Sequence, residues 1–289
     1  MRKIYVTIIA TIVMIFGTHA RAEQPALEHI TITVEGNGPD VVLIPGLASP
    51  RDVYAHEAAL LAPHYRLHLV QVNGFGTQPA GANANGPVLQ PVVDDLHSYI
   101  VAEHLKHPAV IGHSLGGLAA MMLSIQHPDD AGRLLIVDSL PFIGLLFSPD
   151  ATVSATQQQA AAMRDRMLHE SQEQYAAGEQ MSVTRLVRDP EQRRIATAWA
   201  SASNPRVVAQ AMYDDFTTDL RPELSRIKVP VTVLYPRDST LGADRGHDLY
   251  AKAFASLPQV KIIPIDKSYH FIMLDQPGAF HQAVLAFLK

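Results

Sequence analysis

The sequence predicts an α/β fold: a doubly wound, mostly parallel sheet carrying a helical insert. Three observations predict it. Short, wholly apolar runs read as strands covered on both faces. Helical segments alternate with them. From about Pro141 to Arg226 the helices continue while the strands stop.

Taken in order, residues 29–35 alternate with period two and predict a half-exposed strand, closed by the Gly36-Asn37-Gly38-Pro39 turn. Val41 to Ile44 is a buried strand ended by Pro45-Gly46, and 51–62 reads as a helix. Arg66 to Val72 is the next strand, ended by Asn73-Gly74-Phe75-Gly76, and 77–87 is a loop rich in Gly, Asn, Ala and Pro. Val88 to Leu105 is mostly helical, with Pro91 in its first turn, where proline is tolerated, and Val92, Leu96, Tyr99 and Ile100 on one face. Ala109 to Ile111 and Leu134 to Val137 are strands flanking a helix from Leu115 to His127. Inside the insert, Ala160, Met163, Met167 and Leu168 lie at helical spacing, as do Val208, Ala211, Met212 and Phe216. Strand Val231–Tyr235, helix 246–257, strand 260–265 and helix 277–288 complete the alternation. The expected organisation is a core made of 23–139 and 227–289, with 140–226 as a helical lid between the strands ending near 137 and starting near 230.

The first 22 residues read differently. Arg2 and Lys3 precede the apolar run Ile4–Gly17, and Ala20-Arg21-Ala22 fits a small-x-small cleavage pattern. About 14 residues is short for a span of ~20, so a signal peptide cleaved after Ala22 is expected, with an uncleaved anchor as the alternative. Export would place the protein in a periplasm or outside the cell. Loss of Arg2, Lys3 and Arg21 leaves 20 basic residues against 28 acidic, a net charge of −8. An acidic chain without like-charge runs has no pull toward nucleic acid or an anionic membrane, so a small-molecule substrate is the expected partner. The 289 residues contain no Cys, so no disulfide supports the fold.

Gly112-His113-Ser114-Leu115-Gly116-Gly117 follows a buried strand and opens a helix. Side chains at Gly112 and Gly116 would collide with neighbouring backbone in so tight a turn. The turn lifts the Ser114 hydroxyl out of the sheet at a helix N-terminus, where free N–H groups favour negative charge. A serine hydroxyl needs a base. His270 is expected to supply it, because it follows the last strand at the rim where Ser114 emerges. The base needs a carboxylate to orient it. Asp238, after the strand Val231–Tyr235, is the expected one; Asp138, ending the strand before the insert, is the rival. The oxyanion calls for two backbone donors, Leu115 and either Leu47 or Ala48, with Leu47 preferred. His113, Phe142, Met163, Trp199 and Met212 are candidates for the pocket wall, although Met and Phe at helical spacing also suit a lid core. Neither His64/His68 nor His104/His107 presents a shared face, and no metal site is expected from them.

In order, Pro45-Gly46, Asn73-Gly74-Phe75-Gly76, the Gly112–Gly117 run, Asp238 and His270-Phe271 resemble the marks of the α/β-hydrolase superfamily over essentially the whole mature chain. Two departures stand out. Pro45 replaces the His that often precedes the oxyanion-loop glycine, and Asn73 replaces the Asp that often opens the Gly-x-Gly turn. Ser114 as nucleophile argues against the dehalogenases and epoxide hydrolases of the superfamily, which use Asp there. The resemblance implies hydrolysis of a small or medium, partly apolar carboxylic ester through an acyl-enzyme, without metal or organic cofactor. A carbon–carbon bond hydrolase, a lactonase or an amidase would share the same residues. A binding protein that keeps the triad but turns over negligibly is a further alternative, from a different class.

Overall fold

The computed structural model describes residues 26–237, 243–257 and 259–289. The expected signal peptide, and Asp238 with it, lie outside the described residues.

Seven strands form one sheet in the order β1-β3-β2-β4-β5-β6-β7. They are β1 (Ile30–Glu35), β2 (Asp40–Ile44), β3 (Arg66–Val72), β4 (Ala109–His113), β5 (Arg133–Val137), β6 (Val231–Pro236) and β7 (Lys261–Ile265). β1 pairs antiparallel with β3, and every other pairing is parallel. β1, the half-exposed strand of the sequence, therefore takes the edge, where one face meets water. Val41–Ile44, Val110, Ile111 and Leu134–Val137 are fully or almost fully buried, as strands covered by helices on both faces must be.

The sheet is flanked by α1 (Ala55–Leu61), α2 (Leu89–Ala102), α3 (Leu115–Gln126), α8 (Ala243–Ala253), α9 (Ile272–Asp275) and α10 (Pro277–Leu288). The stretch 51–62 begins as a 3₁₀ turn, Arg51–Tyr54, before α1 continues it. Tyr54 is buried there and donates its hydroxyl to Ile44 O at 3.1 Å, tying the turn to β2. α2 buries Val92, Leu96, Tyr99 and Ile100, the stripe its spacing predicts. α8 begins and ends a few residues before the predicted limits, because 254–256 closes as turns.

Between β5 and β6 stand four helices: α4 (Val153–His169), α5 (Gln172–Leu186), α6 (Pro190–Ala202) and α7 (Pro205–Thr217). Their starts are written in the sequence. Thr152, Ser171, Asp189 and Asn204 each accept a backbone N–H at an N-cap, and proline opens α6 and α7. α4 packs on α7, and α5 on α6. Among the described residues no helix is long and apolar enough to cross a membrane.

Candidate active site

Ser114 sits between β4 and α3 with φ 53° and ψ −122°, a backbone conformation that L-residues rarely adopt. A Cβ on Gly112 would lie 2.2 Å from Gly116 O, and one on Gly116 would lie 2.3 Å from Ile44 O. Only glycine lets the strand, the turn and the helix approach so closely. The strain is held by hydrogen bonds on both sides. Ser114 N donates to Val137 O at 3.0 Å, and Ser114 O accepts from Gly117 N and Leu118 N at 2.8 and 3.1 Å. Leu115, first residue of α3, has no carbonyl of its own helix to donate to, and the helix dipole adds partial positive charge. Among the described residues the backbone N–H groups of Leu47 and Leu115 donate to no protein acceptor.

β5 runs beside β4, with His113 opposite Val137, so the residue after β5 emerges next to the turn that carries Ser114. That residue is Asp138, also at positive φ (44°) and pinned by its N–H to Leu234 O at 2.8 Å. Its Oδ2 lies 2.6 Å from His270 Nδ1. Its Oδ1 accepts a hydrogen bond from the Tyr250 hydroxyl of α8. Burial, then the charge and hydrogen bond of Asp138, push the Tyr250 hydroxyl well above its ordinary range, so it stays a donor. The carboxylate paired with His270 is thus the rival of the sequence argument. β5 and β6 are neighbouring parallel strands that end at one rim, and strand order alone does not choose between the acids that follow them in sequence. Asp266, four residues before His270, pairs instead with Arg237.

His270 follows β7, and its ring packs on His113 with centroids 4.5 Å apart. His113 is fully buried, and its Nε2–H donates to His270 O at 3.1 Å. Burial, then the positive charge of His270, drive its pKa well below the usual histidine range. It is therefore a neutral strut between the serine turn and the loop that carries His270, with Nδ1 unpartnered among the described residues. The next residue, Phe271, donates its N–H to Leu186 O of α5, so the insert also holds this loop.

Ser114, Asp138 and His270 line one cavity of about 310 Å3. No hydrogen bond joins Ser114 Oγ to His270 among the described residues, a separation common where substrate is absent. Leu140, Ile143, Leu146 and Leu186 supply apolar wall. The expected wall residues fall elsewhere. Phe142 is buried with the Arg221 guanidinium stacked over it at 4.7 Å. Met163 and Met212 pack with Ala160 and Phe216 between α4 and α7, against Leu47 and Ile143. Trp199 lines a second cavity of about 220 Å3, beside Glu57 and Phe280. These side chains build the interior of the insert and its seam with the core.

Asp215, Arg185, Tyr250 and Tyr269 also line this cavity, and none of them stands in a motif that marks it. For Asp215 a signal existed. It follows Val208, Ala211 and Met212 by seven, four and three residues, which puts a carboxylate on the apolar face of α7. Burial, the largest effect, raises its carboxyl to about 7; Asp214 adds to the rise and His270 opposes it.

One group among the described residues could hold a metal ion: His97, His127 and Asp130, whose ligand atoms lie within 4.8 Å of one another. His127 follows the C-terminus of α3 and Ser114 precedes its N-terminus, about 18 Å away along a helix of this length. That group is separate from the cavity.

The sheet order, the strand-to-helix turn and the cavity at its rim define the class, a hydrolase built on a parallel α/β sheet. The chain belongs to the alpha/beta hydrolase family, whose model matches residues 41–283. It is 28% identical to a pimeloyl-[acyl-carrier protein] methyl ester esterase of Vibrio cholerae over 261 residues, covering 88% of this chain and 96% of that protein. Among solved structures it is similar to the enol-lactonase of Burkholderia xenovorans LB400, with TM-score 0.73 and 20% identity over 90% of this chain and 96% of that one. It is also similar to a thermophilic esterase of Thermogutta terrifontis, with TM-score 0.75 and 19% identity over 90% and 92% of the two chains.

Proposed function

We propose that this protein hydrolyses a small or medium carboxylic ester through an acyl-enzyme on Ser114. His270 is the general base, and Asp138 fixes its tautomer. The observation that carries the reading is the 2.6 Å contact of His270 Nδ1 with Asp138 Oδ2, in the cavity that Ser114 also lines. A carboxylate on Nδ1 keeps the proton there and leaves Nε2 free to accept one from Ser114.

In this mechanism Oγ attacks the ester carbonyl as His270 takes its proton. The oxyanion forms against the amides of Leu47 and Leu115. The alcohol leaves with the proton from His270. Water, activated by the same imidazole, attacks the acyl-enzyme and releases the acid. The methyl ester esterase among the relatives supports an ester as substrate. The cavity volume and its leucine and isoleucine wall support a partly apolar acyl or alcohol group of modest size.

Hydrolysis of p-nitrophenyl esters of graded acyl length tests the proposal. Turnover is expected for short and medium esters, with at least a thousandfold loss in Ser114→Ala. Turnover that survives in Ser114→Ala would sink it. Export through residues 1–22 is part of the same proposal, and the purified periplasmic or secreted protein is expected to begin at Glu23 by intact mass.

A further inference from the structure

We infer that Asp215 is a specificity-determining anion inside the catalytic cavity, and that the preferred ester carries a cationic ammonium group. The inference rests on the ester-hydrolase reading and names the substrate class for that same site.

Asp215 reaches the cavity from α7, on the face the helix otherwise buries with Val208, Ala211 and Met212. It lines the same space as Ser114 and His270. Among the described residues no donor and no cation pairs with its carboxylate. Its neighbour Asp214 shows the contrast. Asp214 Oδ2 accepts the N–H groups of Val88 and Leu89 at 2.6 and 3.0 Å, and Oδ1 accepts from Gln210 at 2.7 Å. One acid of the pair is consumed in joining the insert to α2, and the other is left facing the cavity.

A partly buried carboxylate with no partner is costly, and a ligand that supplies the missing charge recovers that cost. The groups around it do not supply it. His270 has its Nδ1 on Asp138, the Tyr250 hydroxyl is donated to Asp138, and Tyr269 donates its N–H to Asp275. Arg185 lines the cavity from the exposed last turn of α5, and it is not among the charges that act on the Asp215 carboxyl, which are those of His270 and Asp214. A substrate ammonium is the complementary charge. Because burial raises the Asp215 carboxyl to about 7, its pull on a cation grows as pH rises through neutrality.

The test uses p-nitrophenyl esters of ω-trimethylammonio acids with one to four methylenes, each beside its neutral isostere ending in a tert-butyl group. The quaternary nitrogen neither titrates nor attacks the ester. The readout is the ratio of kcat/KM, cationic over neutral, divided by the same ratio for uncatalysed hydrolysis. At pH 8 the wild type is expected to favour the cation at least tenfold at one chain length. That preference should shrink toward parity below pH 6, and Asp215→Asn should lose most of it. A pH effect on the chemical step common to both esters cancels in the ratio. A wild-type ratio of one at every length overturns the inference, as does a preference that Asp215→Asn retains. If Asp215→Asn fails to fold, the wild-type pH series decides, and a ratio flat from pH 6 to 8.5 overturns it. Turnover of the neutral esters without cation preference leaves the esterase reading standing. No turnover of any ester, together with no labelling of Ser114 by a fluorophosphonate, ends both.

Discussion

Asp138 does two jobs that strand order alone could not assign to it. Its backbone ends β5 in a left-handed conformation, and its two carboxylate oxygens serve His270 and Tyr250 separately. Asp138→Asn should lower kcat by roughly 10^4-fold, because an amide that donates to Nδ1 turns the imidazole to the wrong tautomer. Asp238→Asn should stay within about tenfold of wild type, and a larger loss there than in Asp138→Asn would reverse the assignment. Tyr250→Phe removes one hydrogen bond to the carboxylate and should cost about tenfold in kcat/KM, read from initial rates across pH. Asp215 has a consequence for stability as well as for selectivity. Its folded pKa is raised from the ordinary 3.8 to about 7, so between those values the native state holds a proton that the unfolded chain has released. Stability contributed by that proton is present at low pH and is lost between about pH 4 and 7. Asp215→Asn should therefore melt higher than wild type at pH 8 and nearly equal to it at pH 4. The ceiling on the difference is about 4 kcal/mol, and partial exposure of the carboxylate reduces it. Equal melting temperatures at pH 8 would contradict the raised pKa.

At the scale of elements, the meeting of Ser114 and His270 in one cavity was legible because each position depends on a local pattern: a glycine-framed turn between strand and helix, and a histidine just after the last strand. The strands were legible for a similar reason. Runs such as Val41–Ile44 and Leu134–Val137 have no exposed face to give to polar residues. The acid was ambiguous because the choice depends on which of two neighbouring strand ends the imidazole faces, and that is set by side-chain geometry across the sheet. The wall of the cavity was the least legible. Met163, Met212 and Trp199 have the spacing of buried helix faces, and spacing does not say whether the neighbour is another helix or a substrate. The seam of the insert could not be read at all, since its partners lie far apart in sequence. Ser203 Oγ receives the N–H of Gly76 at 2.8 Å and shares its own proton between Trp199 O at 3.0 Å and Ala48 O at 3.3 Å, the latter next to the proposed oxyanion donor Leu47. Ser203→Ala should destabilise the protein by about 1–2 kcal/mol in urea titration and lower kcat as the Leu47 turn loosens.

Across the whole molecule, the insert is fastened to the core at several separate points. Asn204 N donates to Gly74 O, Leu220 N to Pro141 O, and Phe271 N to Leu186 O. Asp214 holds the N-terminus of α2, and Asp275 accepts the backbone N–H groups of Arg188 and Asp189. Helices bonded on so many sides do not swing away as one body without breaking several hydrogen bonds together. Among the described residues a fat–water boundary therefore finds no hinged flap to pull open. Rates on a sparingly soluble ester should rise smoothly with dissolved monomer and show no jump once droplets or micelles form, which marks this as a catalyst for molecules that arrive singly from solution.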